Sequence, residues 1–576
     1  MQKPAELGSL ISGDQIGQKV AHLWSRWNTQ RKTSLDEWME LRDYLFATST
    51  RTTTQGENGW KNSTTLPKLT QIRDNLHSNY LSALIPNDHW LAWEAYSKED
   101  AVKQKQEAIE SYMANKTRQG GFRNTLSALI YDYIDHGNAF LTSQYVASFK
   151  DREETIVDFI GPKMVRIDPN DIVFNPTAAS FKESPKIVRS IKTIGELRMM
   201  AQNEPDNFYL QEALADTTAI RNGGSTYSTE DWVKAEGYRV DGFGSLQEYY
   251  MSDYVEVLEF WGDWHDASTG DLRTNQVITV IDRARVIRQT DMPSWLGSAP
   301  IHQVGWRKRP GNLWHMSPLA NLVGMQYRID HLENSKADAY DLAIHPPLKI
   351  LGEVEEFEWG PRCEIHLDEG GDVQEIVKNV QWVIQADSAI AQLENRMEQF
   401  AGAPREAMGI RSPGEKTAFE IQSLENAAGR IFQEKITTFE IEGLEPVLND
   451  MLESSRRNLD INDVVRTMDT SLGVQKFLKI TREDIKAKGK LRPIGARHFA
   501  AQAQLLQNLT GVFSSQLGPM VAPHTSGIAM SDLVEDSLGL ERFSLFKPNV
   551  AVFEQQETQR LATQAAEELE AEDEAL

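Results

Sequence analysis

The chain is poor in the features that mark secreted, membrane-spanning or metal-dependent proteins. It has one cysteine, Cys363, in 576 residues, so it holds no intramolecular disulfide framework and no multi-cysteine zinc site. That usage suits synthesis in a reducing cytoplasm. No apolar run approaches the roughly 20 residues of a membrane span, and the start MQKPAELGSL lacks the apolar core of a signal peptide. The expectation is a soluble chain. Basic residues are also in deficit: 60 Lys and Arg stand against 84 Asp and Glu, a net charge of −24. A protein that grips a phosphate backbone tightly carries a basic surface. This one repels nucleic acid on average, and any it handles must be enclosed or met at local patches.

Catalytic patterns are missing too. His265, His302, His315, His331, His345 and His366 form no HExxH or comparable ligand spacing. There is no GxSxG elbow, and Cys363 lies beside Arg362 without a local histidine–acid arrangement. Acid pairs such as Glu355-Glu356 and Asp368-Glu369 read as solvated surface. The best match to an enzyme motif is GIRSPGEKT, Gly409 to Thr417. A phosphate-binding loop needs G-x-x-x-x-G-K-[ST], so that backbone N–H groups and a lysine converge on phosphate. Here Glu415 takes the lysine slot and no apolar strand precedes it. A loop opening into a long helix is the better reading; a nucleotide-dependent enzyme is the alternative. No catalytic, cofactor-binding or metal-ligating residue is expected.

What the chain does have is 40% hydrophobic and 25% charged content, the balance of a globular protein, and a length that suggests several domain-sized units. The fold class expected is α+β, predominantly helical. Ile16, Val20, Leu23, Trp24 and Trp27, then Leu35, Trp38, Leu41 and Leu45, recur at helical spacing, with a break at Thr33-Ser34 and a second helix starting at Ser34 or Asp36. Leu69, Ile72, Leu76, Tyr80, Leu81 and Leu84 line another helix, ended by Pro86. Helices are also expected over 101–116 and from Phe122 to about His136, with Gly137 as the C′ residue. Trp60, Trp90 and Trp93, with Tyr80 and Tyr96, suit core or subunit packing better than base stacking.

Strands are expected over 139–146, 156–160, 164–167, 172–174, 254–264, 276–282, 284–289 and 300–306, with turn chemistry at Asp168-Pro169-Asn170-Asp171. The polar stretch 206–244 reads as loops with a short helix. Ser317 as N-cap and Pro318 in the first turn open a helix over 317–343 on which Leu322, Met325, Ile329 and Leu332 form an apolar stripe, Lys336 filling the next slot. His345-Pro346-Pro347 stops it. A small β-containing insert follows, then a helix capped at Asp387 or Ser388 and running to about Phe400. After the loop 401–413 the chain reads as helix for some 40 residues, about 60 Å, kinked by Gly443 and Pro446. A β-like stretch comes next, then a basic cluster of Lys486, Lys488, Lys490, Arg492 and Arg497. That cluster suits DNA, an acidic neighbour or a plain solvated turn. Helices near 496–513, 531–538 and from 552 lead to an acidic tail.

The order of these stretches resembles the portal, or head-to-tail connector, proteins of tailed bacteriophages, short-tailed ones especially. The stretches carrying the likeness are WKNSTTLPKLTQIRDNLHSNYLSALIPNDHWLAW, YIDHGNAFL with VRIDPNDIVFNP, WRKRPGNLWHMSPLANLVGMQYRIDHLEN, and GIRSPGEKTAFEIQSLENAAGRIFQEKITTFEIEGLEPVLNDML. The resemblance implies a portal-like subunit divided into a wing (1–310), first stem helix (311–344), clip (345–380), second stem helix (381–402, its core about 385–400), tunnel loop (403–415), the wing's return (416–495), and a crown with the acidic tail (496–576). It implies assembly as a homo-oligomeric ring, dodecameric in such families, at one capsid vertex of the virion after assembly in the host cytoplasm. Double-stranded DNA would pass through the channel in packaging and ejection. Terminase, tail adaptor, scaffolding, major capsid and internal core proteins would be partners, with no membrane, cofactor or enzymatic activity. By the same resemblance Arg405, Glu406, Met408, Arg411 and Glu415 would line the channel, and Leu322, Met325, Ile329 and Leu332 would pack the stem. A generic virion internal or scaffold protein is the remaining alternative.

Overall fold

The computed structural model describes residues 13–46, 62–85, 90–96, 103–149, 157–203, 205, 207, 209–215, 254–265, 270, 272–283, 285–293, 295–344, 346, 348–352, 370–375, 381–401, 431–458, 463–468, 475–480, 484–486 and 488–493. These residues mix helix and strand, an α+β chain. It divides into two compact units, one of residues 1–81, 122–144 and 164–450, the other of 82–121, 145–163 and 451–576.

The elements in chain order are α1 Gly13–Gln30, α2 Lys32–Phe46, α3 Lys68–Leu84, β1 Leu91–Ala95, α4 Lys103–Gln119, α5 Phe122–Asp135, β2 Asn138–Phe149, β3 Val157–Ile167, β4 Ile172–Phe174, β5 Lys186–Thr193, α6 Ile194–Asn203, β6 Tyr254–His265, β7 Leu272–Ile281, β8 Arg285–Asp291, β9 Ile301–Gly305, β10 Arg307–Arg309, β11 Asn312–Met316, α7 Val323–Ile344, β12 Leu348–Leu351, β13 Asp372–Glu375, α8 Gln381–Ala401, α9 Glu445–Asn458, β14 Asp463–Met468, β15 Gln475–Ile480 and β16 Gly489–Pro493. Residues 209–215 and 431–439 are also helical.

The first unit is built on an antiparallel sheet in the order β4-β5-β6-β7-β8. Side chains alternate across a strand, and the sheet uses both faces. Leu258, Phe260, Trp264, Ile278, Val280 and Val286 meet Ile16, Val20, Trp24 and Trp27 of α1. The intervening Val255 and Val257, with Ile281 and Ile287, meet Leu197 of α6 and Leu210 and Ala213. A one-residue slip would exchange the two layers. The β7–β8 hairpin turns through Asp282 and Arg283, both at positive φ, where Asn-Gly is the usual pair. Arg283 is held there by its Nε bond to the fully buried Glu256 at 2.9 Å.

The helical break falls at Arg31, not at Thr33-Ser34, and α2 begins at Lys32. The cause is Arg31 itself: its buried guanidinium donates to the carbonyls of Pro169, Asn170 and Ile172 at 2.5, 2.6 and 2.8 Å and lies over the Trp314 ring. That ties the α1–α2 corner to the Asp168–Asp171 turn. Burial among carbonyls, with Arg189 nearby, pushes Arg31 down to about 9. β3 is one strand through Gly161-Pro162, where the sequence suggested two. The short strand β5 was not anticipated.

In the second unit, β1 pairs antiparallel with β16 and β14 with β15. Gly489 is required here, since a Cβ would meet the Trp93 ring at 2.3 Å and the Glu94 carbonyl oxygen at 2.4 Å. Arg456 lies over Trp93 and donates to the Ile485 carbonyl at 2.5 Å. Trp90 and Trp93 are buried as expected, whereas Tyr96 is exposed; Trp60 lies outside the described residues.

Candidate functional site

The helix, β-insert, helix order stands in the first unit as α7, the antiparallel pair β12–β13 with Leu348 opposite Glu375, and α8. At 1.5 Å per residue each helix is about 30 Å long. α7 and α8 pack antiparallel: Lys336 Nζ lies 3.0 Å from Asp387 of α8, while nearer the start of α7 the Gln326 region meets Lys68, which is bonded to Glu398. Asp387 is therefore a mid-helix pairing residue and not a cap; α8 starts earlier, at Gln381. Ser317 is not the N-cap: its Oγ accepts from the Leu319 N–H at 2.9 Å and donates to the Ile134 carbonyl at 2.7 Å. The N-cap position of the 3₁₀ turn Ala320–Leu322 that precedes α7 is Leu319, with no side-chain cap bond.

The stripe residues fall where helical spacing put them. Leu322 and Ile329 are fully buried, Met325 and Leu332 half-buried. One residue further round the helix runs a second line, which the sequence reading passed over: Gln326, Asp330, Asn334 and Asp338. It grips residues 62–69, an extended strap (62–67) and the first two residues of α3, running in the opposite direction. Asp338 Oδ1 accepts the Asn62 N–H at 3.0 Å and Asn334 Oδ1 the Thr64 N–H at 2.7 Å. Asp330 Oδ1 accepts the Leu66 N–H at 3.0 Å and Gln326 Oε1 the Leu69 N–H at 3.2 Å. Asn334 and Gln326 return their amide hydrogens to the Thr64 and Leu66 carbonyls at 2.9 and 2.5 Å. The match is geometric. Four helical residues rise about 6.0 Å, and two extended residues span about 6.6 Å. The signal available in sequence was Q-x₃-D-x₃-N-x₃-D, a polar ladder too regular for a solvated face.

Two charged features sit under the strap. Lys68 and Glu398 form an ion pair at 2.6 Å with side chains only 5% and 6% exposed. Asp330 is 2% exposed, and its Oδ2 has no hydrogen-bond partner. Burial pushes its carboxyl up to about 6, against the pull of the Leu66 N–H and Gln326 amide.

The helix after α8 is irregular where the kink was expected, as a π turn. Glu440–Leu444 is π-helical, with the Glu445 N–H bonded to the Glu440 carbonyl. Pro446 has no N–H and its ring crowds the preceding turn; one extra residue per turn absorbs this. Gly443 serves a different purpose, close approach: a Cβ there would meet Val304 Cγ2 of β9 at 2.6 Å. Before the π turn, Phe432 and Phe439 pack against Tyr80 and Tyr133, which also contact Trp306. After it, Asp450 meets His302 at 2.7 Å. Both sides of the π turn are thus fixed.

The surface of the paired helices is acidic. Asp338, Asp341, Asp387 and Glu394 outnumber Arg328, Lys336 and Arg396. Of the basic cluster, Arg492 pairs with Glu94 at 2.9 Å, and Arg497 lies outside the described residues. So do Arg405, Glu406, Met408, Arg411 and Glu415, the channel candidates, together with Gly409 to Thr417, Cys363 and the region from 494 onward. Among the described residues no helix is long and apolar enough to cross a membrane, and no group of three or more His, Cys, Asp or Glu is placed to hold a metal ion. No protein-family model matches the chain, and no curated protein matches it significantly in sequence.

Proposed function

We propose that this chain is the subunit of a viral portal: a ring at one capsid vertex through which double-stranded DNA enters and leaves, without chemistry of its own. The observation that carries the reading is the antiparallel pair α7–α8 joined through the small β12–β13 ladder and followed, over 431–458, by a helix with a π turn. A head-to-tail interface between identical subunits gives a ring where its rotation closes. Paired helices of about 30 Å, set side by side around an axis, make a wall of that length. The excess of carboxylates on α7 and α8 supports a conduit, since a like-charged wall offers DNA no deep electrostatic well. The exposed Tyr327, Tyr340, Leu342 and Ile344 on α7 supply apolar area for neighbouring subunits. On this reading the β12–β13 end faces terminase and later the tail adaptor. On the same reading 403–415 would be the loop at the narrowest point.

The test is a mass measurement. Native mass spectrometry of the purified chain should give one dominant closed species near twelve times the 65.2 kDa subunit mass. A concentration-independent monomer would remove the basis of the proposal.

A further inference from the structure

The strap 62–69 is held mainly through its backbone, and of the two ionisable groups in its ladder Asp338 is half-buried while Asp330 is buried. In the carboxylate form that side chain accepts two hydrogen bonds on Oδ1, from the Leu66 N–H and the Gln326 amide, both at 3.0 Å. Its Oδ2 is buried and bare. A buried acceptor without a donor costs free energy, the more so when charged. A proton placed on Oδ2 removes the charge and leaves both bonds to Oδ1 intact. The neutral carboxyl therefore suits the closed strap better than the carboxylate does.

Among the described residues no neighbouring charge offsets this. The strap contributes Lys68, already paired with Glu398 of α8. On α7 itself, Arg328 flanks the ladder, Lys336 is paired with Glu333 and Asp387, and Asp338 accepts from Asn62. His331 adjoins Asp330 in sequence and is held below the usual histidine range by burial and by Arg328. From α2, which also packs on α7, the buried side chains include Trp38, Leu41, Tyr44 and Leu45; Asp36, Glu40, Arg42 and Asp43 are exposed, and Glu37 is near Arg309.

We propose that residues 62–69 are a proton-tightened latch on α7: uptake of one proton by Asp330 closes the strap more firmly, and its loss loosens it. The strap leads directly into α3, so its closure governs how firmly the start of α3 is tied to the α7–α8 pair. The inference is independent of the portal reading. With the carboxyl near 6 when closed and near 3.8 when open, the sign is fixed. The closed state binds the extra proton between those values, so closure strengthens as pH falls. The opening equilibrium should rise about tenfold between pH 5 and pH 8.

Hydrogen–deuterium exchange on the full-length protein tests this, corrected for intrinsic exchange and referenced to β6–β7 amides. The Leu66 and Leu69 amides should lose about tenfold protection from pH 5 to pH 8. Asp330→Asn supplies a neutral side chain that keeps the Oδ1 acceptor. It should hold wild-type pH 5 protection across the range, while His331→Gln should keep the wild-type response. A flat profile in the wild type overturns the proposal whether or not the variant folds. An unchanged response in Asp330→Asn, or a response abolished in His331→Gln, also overturns it.

Discussion

Removing one partner of the Lys68–Glu398 pair should be far more damaging than removing both. At 2.6 Å and an effective dielectric near 20, the mutual attraction is roughly 6 kcal/mol. Taking each ion out of water costs several kcal/mol, so the intact pair is close to balanced. With both side chains at most 6% exposed, a survivor cannot reach solvent without opening the strap. Glu398→Ala should therefore destabilise the protein by about 3–5 kcal/mol. The apolar double replacement Lys68→Met/Glu398→Leu should lie within about 1 kcal/mol of wild type or above it. The assay is urea unfolding at fixed protein concentration, since assembly would shift apparent stability by mass action, read as midpoint with unchanged slope. A Glu398→Ala loss below about 1 kcal/mol, or a double variant as unstable as the single one, refutes the reasoning.

Gly443→Ala separates helix propensity from close approach. Propensity alone would stabilise by about 1 kcal/mol, but the added methyl would sit 2.6 Å from Val304 Cγ2, and overpacking costs about 1–3 kcal/mol. The expected net loss is about 1–2 kcal/mol by thermal unfolding, partly recovered on adding Val304→Ala; a stabilised single variant would exclude the close contact. Lys186 gives a pH prediction. It is 1% exposed, donates to the carbonyls of Lys182 and Ser184 and lies over the Phe181 ring, and burial pushes it down to about 8. Between about 8 and 10.5 the unfolded chain holds the extra proton, so stability should rise with pH by at most ~3 kcal/mol. Lys186→Met should lack that rise, and an equal pH slope in both proteins would count against it.

How much was legible in sequence depended on whether one element settled its own state. The α1 stripe Ile16, Val20, Trp24 and Trp27 predicts both a helix and its buried face, because each residue repeats at helical spacing and the sheet beneath is apolar. The β6 run Tyr254–His265, rich in β-branched and aromatic residues, was equally plain. Arg31 was not: nothing local shows that a guanidinium beside a helix end will bind three carbonyls some 140 residues away. β5 was lost because KIVRSIKT reads as polar, its outer half being exposed. The polar ladder on α7 was missed for a related reason, since its partner is the backbone of residues 62–69, which carries no pattern of its own. Pro446 and Gly443 marked the place of an irregularity, but nothing local to them says that it takes the form of a π turn. The channel candidates Arg405, Glu406, Met408, Arg411 and Glu415 rest on resemblance and lie outside the described residues.

Electron microscopy of the purified protein tests the central claim most directly. Two-dimensional class averages in negative stain should show closed rings with a central, stain-filled hole wide enough for a DNA duplex. Particles without rotational symmetry, or closed particles with no axial opening, would contradict the account.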